Sequence, residues 1–344
     1  MNTNRTCHSK NHLGLLFGIA CLSLALISGC SESSTGSVPV NRFEEVGRII
    51  LPGIQGTAGA DTIVVATDGT LYKIYRASPA APDTLIEISS VNSGFTSTLA
   101  DLVVTSDLTT GTMQNGVTTI DMSPTPANTP TVSQSPLTGT GVVSAVSANG
   151  NTMLVGFTSS VVVYSITTPA SPQPLDTFAS KWPITMVVGV GTGFVVFSDS
   201  GYAWVNVADT NTITFAETWH TQLSKYARGL LVGTILHASG SDDLLTTSRI
   251  GVIDLTNPAV PIALTVARPI VGIFRDFVYR DQTTYLLMTD ASMVRYAWNG
   301  TAMVQTESTP IAWDNLDFRG FYATADRYFV AINPDSLRIY RLAK

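Results

Sequence analysis

After Cys30 the chain has no cysteine, and before it only Cys7 and Cys21. The body beyond Cys30 therefore holds no disulfide and no thiol nucleophile, so its stability rests on packing and hydrogen bonding. Charge is also scarce. Asp, Glu, Lys and Arg make up 13% of the residues, about half the usual share. Acid prevails among them, with 25 Asp+Glu against 19 Lys+Arg and a net charge of −6. That balance argues against nucleic acid as a partner, and equally against docking on anionic lipid through a basic face. Of four histidines, His220 and His237 lie in the body, without the Cys or His spacing of a zinc site. Helical periodicity is missing after residue 41. What remains is a chain rich in Thr, Ser, Gly and Val, arranged as short alternating apolar runs between turn residues, the pattern of an all-β protein.

The amino-terminal end has a separate character. Arg5 and Lys10 precede the apolar run Leu13 to Gly29, which leads to Cys30. A basic start, an apolar stretch and small residues form the pattern of an export signal. The segment "LISGC", with Ile27, Ser28 and Gly29 before Cys30, resembles the lipobox of bacterial lipoproteins. That resemblance implies cleavage after residue 29, lipidation of Cys30 and a cell-envelope location. Ser31 after the cysteine implies the outer membrane where the source has one, by similarity to enterobacterial lipoprotein sorting. Several acyl chains on one residue anchor stably, since each buried CH₂ contributes roughly 0.8 kcal/mol. Ser31 to Asn41 is small, polar and aperiodic, as expected of a flexible tether. Loss of residues 1–29 removes two of the 19 basic residues and none of the 25 acidic ones, leaving a body with net charge −8.

Internal repetition defines the body. "VVATDGTLYKIY" at Val64, "LVGFTSSVVVYS" at Leu154, "VVFSDSGYAWVN" at Val195, "LLMTDASMVRYAW" at Leu286 and "FVAINPDSLRIY" at Phe329 each read strand, small polar bend, strand. Asp68, Asp199, Asp290 and Asp335 fall at or beside the bend. Asp suits a bend because its carboxylate bonds nearby backbone N–H groups. Proline pairs recur downstream: Pro79 and Pro82, Pro169 and Pro172, Pro258 and Pro261, with Pro126 and Pro130 in a looser copy. Proline fits strand ends and edge strands, where no ladder donor is lost. "IGVIDLTNPAVPIALTVA", with Asp254, Asn257, Pro258 and Pro261, resembles the LVIVD-type repeat of bacterial exported β-propellers. The resemblance implies that fold and says almost nothing of activity.

Units of about 40–45 residues lie in the range of propeller blades. The expectation is a seven-bladed β-propeller of four-stranded antiparallel blades, with six or eight blades as the alternatives. "FEEVGRIIL", Phe43 to Leu51, would complete the last blade and close the ring. The domain reading is residues 1–29 signal peptide, 30–42 lipidated Cys and tether, and 43–344 propeller.

Aligning the innermost strands brings Arg228, Arg275 and Arg319 to one equivalent position, with Gln55, Ser144 and Thr185 in other units. Three forked donors on neighbouring strands could receive carboxylate or phosphate groups. The structural alternative is inter-blade pairing with acids such as Asp276, Asp314 or Asp317. Trp182, Trp219 and Trp313 lie in connections expected on the same face, either as buried wedges or as exposed anchors of a binding surface. "FSDSGYAW" comes near the sialidase Asp-box but has Phe197 at its Ser position. No G-x-S-x-G stretch marks a nucleophile, and no cofactor or metal site is expected. The leading expectation is a monomeric, lipid-anchored, non-enzymatic module that binds a protein, peptide or glycan through Arg228, Arg275, Arg319 and the three tryptophans. The competing expectation is a hydrolase or lactonase-like propeller acting on an anionic substrate, with His220 or an Asp as base.

Overall fold

The computed structural model describes residues 42–343. Left out of the description are residues 61, 79, 94–98, 105–107, 114–115, 122–130, 136–138, 140–141, 169–170, 210–211, 242–246, 265–267, 272–273, 281–282, 289–291, 300, 302, 311–316, 324–326 and 334.

Short alternating segments between Gly-, Asp- and Asn-bearing bends form strands, as a period of two requires. β1 (Arg42–Ile50) stands apart from its neighbours in sequence and pairs with the carboxy-terminal strand. β2 (Gly56–Ala60), β3 (Ile63–Thr67), β4 (Leu71–Ser78) and β5 (Ala81–Asn92) form one antiparallel sheet. β6 (Leu99–Val104), β7 (Leu108–Met113), β8 (Gly116–Asp121) and β9 (Thr131–Ser135) form a second. β10 (Val143–Asn149), β11 (Thr152–Phe157), β12 (Ser160–Ser165) and β13 (Gln173–Ala179) follow. So do β14 (Ile184–Val190), β15 (Gly193–Ser198), β16 (Gly201–Asn206) and β17 (Thr214–Trp219). A single 3-10 turn at Thr221–Leu223 leads to β18 (Arg228–Val232), β19 (Ile235–Ser241), β20 (Thr247–Asp254), β21 (Ile262–Ala263) and β22 (Arg268–Val271). β23 (Phe274–Arg280), β24 (Thr283–Met288), β25 (Ser292–Trp298) and β26 (Met303–Pro310) form another sheet. Finally β27 (Asp317–Ala323), β28 (Tyr328–Asn333) and β29 (Ser336–Ala343) combine with β1 in the order β1-β29-β28-β27.

The first strands stand side by side: β2 touches β6, β6 touches β10, β10 touches β14, β14 touches β18, β18 touches β23 and β23 touches β27. β27 returns to β2, so the row closes on itself. This radial arrangement of meandering antiparallel sheets is a β-propeller. The latch runs from Arg42 opposite Ala343 to Ile50 opposite Ser336, with one bulge between Glu45 and Gly47. It covers the outer side of β29, which would otherwise be that sheet's open edge.

The expectation of a seven-bladed propeller of four-stranded blades is corrected: among the described residues, five blades combine a four-strand antiparallel path with several buried apolar residues, namely β2–β5, β10–β13, β14–β17, β18–β21, and β1 with β27–β29. One of these is irregular, because β22 pairs with β20 beside the two-residue β21. Proline supplies no ladder donor, and Pro258, Pro261 and Pro269 punctuate this outer region, which is divided into two short pieces. A hairpin period counts strand pairs in the chain. It does not report how those strands pack.

The cores lie between sheets. Leu154, Val161 and Val163 meet Phe194, Val196 and Val205, and the Phe178 and Phe215 rings of the outer strands stack at 5.4 Å. Met186, Val195 and Phe197 meet Tyr226, Leu236 and Ile253, with Phe197 and Tyr226 edge to face at 6.0 Å. Val64 and Tyr75 meet Phe329, Leu337 and Ile339, so the last sheet is bound to the first by apolar contact as well as by the latch. Among the described residues no helix is long and apolar enough to cross a membrane.

Candidate binding site at the mouth of the ring

Each innermost strand begins at the face that carries the turns joining second to third strands. A departure from regular pairing recurs there. The register slips between Leu99 and Asp101 on β6, between Val143 and Ala145 on β10, and between Ile184 and Met186 on β14. It slips again between Phe274 and Asp276 on β23 and between Phe318 and Gly320 on β27. The extra residues are Ala100, Ser144, Thr185, Arg275 and Arg319. A bulge sets two residues against one, bends the strand and re-aims a side chain.

The two remaining strands reach a related geometry by another route. On β2, Gly56 pairs with Thr67 while the Gln55 N–H donates to the Thr67 carbonyl at 2.7 Å. On β18, Arg228 pairs with Ser239 while the Ala227 N–H donates to the Ser239 carbonyl at 2.8 Å. Arg228, Arg275 and Arg319 thus stand on the innermost strands β18, β23 and β27 but do not share one register. Arg228 is a ladder residue, whereas Arg275 and Arg319 are bulge residues. Arg319 is exposed. Arg228 is half-buried, and its Nη1 donates to the Ala227 carbonyl at 3.3 Å.

The smaller polar groups are held differently. Gln55 Oε1 accepts the Leu99 N–H at 2.7 Å and so ties the first sheet to the second. Ser144 Oγ donates to the Gly156 carbonyl at 3.2 Å. Thr185 Oγ1 is buried without a hydrogen-bond partner in the protein, a costly position for a hydroxyl.

Two tryptophans lie on the rim of this face. Trp219 ends β17 and is 66% exposed. Trp182 is half-buried in the connection between β13 and β14. Glu217 joins their neighbourhoods, since its Oε1 accepts from Ser180 Oγ at 2.8 Å and from the Lys181 N–H at 3.0 Å. Trp313 and Cys30 lie outside the described residues. His220 follows Trp219, its ring 6.2 Å from that of Tyr202 and its Nδ1 buried without a hydrogen-bond partner.

Lys225 is a feature the sequence did not announce. Its φ of 62° is left-handed, uncommon for a residue with a side chain. The Lys225 N–H donates to the Ser198 carbonyl at 2.8 Å, and its own carbonyl sits where a Cβ on Gly240 would be. Gly240 therefore admits the connection of residues 220–227 between two neighbouring turns.

The bends have a structural explanation. Asp68 Oδ1 accepts the N–H groups of Thr70 at 2.8 Å and Leu71 at 2.6 Å. Asp254 Oδ1 accepts the N–H of Thr256 at 2.8 Å and its hydroxyl at 2.6 Å; these bonds from Thr256 hold the Asp254 carboxyl below its ordinary value. Asp290 lies outside the described residues. Among the described residues no group of three or more His, Cys, Asp and Glu could hold a metal ion.

No family model matches the sequence, and no curated protein matches it. Solved structures do match by shape. The computationally designed Ika8 protein aligns with TM-score 0.60 and 10% identity over 87% of this chain and 100% of its own. The Pan2 WD40 domain of Neurospora crassa aligns with TM-score 0.61 and 10% identity over 88% of this chain and 97% of that one. Raptor of Chaetomium thermophilum aligns with TM-score 0.64 and 10% identity over 88% of this chain and 30% of that much longer one. At such identity the likeness shows the fold alone: the protein is an all-β propeller.

Proposed function

We propose that this protein is a lipid-anchored component of the cell envelope whose propeller is a non-enzymatic binding module. Its ligand is an anionic segment of a protein, peptide or glycan, received at the bulged mouth of the ring. The observation that carries the reading is the recurrence of bulges at one end of β6, β10, β14, β23 and β27. Three of these strands place Thr185, Arg275 and Arg319 at the slip, and Arg228 stands at the same end of β18. Guanidinium groups suit carboxylates and sulfates because the planar fork donates two parallel hydrogen bonds. Exposed Trp219 supplies an amphipathic rim contact of the type enriched at binding hot spots. The anchor is read from "LISGC" and the polar stretch after Cys30.

The test uses the purified body against arrays of acidic peptides and of uronic or sulfated glycans. Replacing Arg228, Arg275 and Arg319 together by Ala should weaken the best ligand at least tenfold, a loss of about 1.4 kcal/mol. The melting temperature should shift by no more than a few degrees. A large fall in melting temperature with unchanged binding would make the three arginines structural fasteners and end the proposal. For the anchor, Cys30→Ala should move the protein out of the membrane fraction; retention there would contradict lipidation.

A further inference from the structure

The path of β1 fixes where the anchored end of the chain joins the propeller. Its last residue, Ile50, pairs with Ser336, and the Leu51 N–H donates to the Asp335 carbonyl at 2.7 Å, at the turn leading into β29. Its first residue, Arg42, pairs with Ala343 at the far end of the same strand pair. The chain therefore enters at the face opposite the bulged mouth. That entry face carries the tight turns joining first to second strands, built on Gly150, Gly191 and Gly233 with φ of 57°, 54° and 63°. The residues following these glycines, Asn151, Thr192 and Thr234, are uncharged.

The same end of the β18–β22 sheet carries an aliphatic edge. Ile262 pairs with Asp254, which pairs with Ile235 beside the Gly233 turn. Val260, Ile262 and Leu264 alternate outward at 56%, 57% and 41% exposure, while Pro261 is buried and Ala263 packs on the core between them. Val304, one residue into β26 and opposite Ala297, is exposed at the same end of the adjacent sheet. An edge of branched aliphatics suits the headgroup–acyl boundary of a lipid surface.

We infer that the Gly150–Gly191–Gly233 face of the propeller lies against the bilayer, with Val260, Ile262 and Leu264 seated at its headgroup–acyl boundary and the bulged mouth turned away. This rests on the reading of Cys30 as the lipid anchor. Eleven residues, Ser31 to Asn41, separate Cys30 from Arg42 at the start of β1, so the entry face is the one nearest the anchor along the chain.

Absence of cysteine after Cys30 allows clean single-site labelling. Full-length lipidated protein carrying Ile262→Cys, Thr192→Cys or Asp199→Cys, each with an environment-sensitive fluorophore, is placed on phosphatidylcholine vesicles containing a nitroxide on the upper acyl chain. Flotation with the vesicles is scored first. The expected result is flotation, with the labels at positions 262 and 192 quenched several-fold more than the label at position 199 in the opposite turn. Equal or stronger quenching at position 199 overturns the orientation while leaving the anchor intact. Quenching at 192 without quenching at 262 overturns the lipid seat and assigns the aliphatic edge to a protein. Failure to float overturns the anchored reading and this inference with it.

Discussion

His237 shows how one buried side chain sets a pH dependence. It lies on β19 between Leu230 and Val252, is 2% exposed, and burial lowers its pKa from 6.5 to about 4. Above pH 6.5 it is neutral folded and unfolded, so the fold keeps its full stability. As pH falls from 6.5 towards 4 the unfolded chain takes up the proton first, and stability drops. Below about 4 both states are protonated and the loss stops growing. The shift corresponds to about 3 kcal/mol. Urea titrations from pH 7.5 to 4 should show this decline, and His237→Leu should remove most of it; an unchanged slope in the variant would contradict the assignment. Asp68 gives a second residue-scale outcome. Its carboxylate closes the turn into β4 through two N–H groups, so Asp68→Ala should cost about 1–2 kcal/mol by chemical denaturation. The turning role of Asp was legible because Asx turns are local: the donors lie two and three residues onward, within reach of a sequence reading.

At the scale of elements, the closing latch was also legible, since "FEEVGRIIL" had no hairpin partner nearby. The strand observed is Arg42–Ile50, one residue earlier at each end. Its ion pairs, Arg341 with Glu44 at 3.0 Å and Arg338 with Glu45 at 3.4 Å, are solvent-screened and of small value. Its strength lies in packing. Ile339 is nearly fully buried in the cluster that joins the last sheet to the first, where Val46 and Ile49 of β1 also pack. Glu44→Ala with Glu45→Ala should together cost under about 1 kcal/mol, and Ile339→Ala about 2–4 kcal/mol. Comparable losses in denaturant titrations would contradict this ranking. The bulges were less legible. One inserted residue reverses the side-chain alternation after it, so counting back from the second strand drifts by one. That drift placed Arg228 level with Arg275 and Arg319, and it passed over Ala100, whose apolar side chain gave no signal. Lys225 escaped for a related reason. Nothing in "LSKYA" marks a left-handed Lys, which is imposed by Ser198 and Gly240 from elsewhere in the chain.

For the whole molecule, all-β propeller architecture could be read from the repeated strand–bend–strand units, whereas blade regularity could not. The outer strand of the β18–β22 sheet divides between β21 and β22, and such a division depends on which long-range pairs form rather than on the local period. One face gathers bulges, Arg228, Arg275, Arg319 and Trp219, and the other receives the amino-terminal chain and carries the Gly150, Gly191 and Gly233 turns. On the function we propose, the direction of a single strand, β1, sets partner capture on one side and attachment on the other. The most direct measurement places a photo-crosslinking amino acid at Trp219, and separately at Thr234, in living cells. Our account predicts a discrete adduct from position 219 that disappears when Arg228, Arg275 and Arg319 are replaced by Ala, and no such adduct from position 234. An adduct at 219 that survives the triple replacement, or the same adduct from 234, would contradict it.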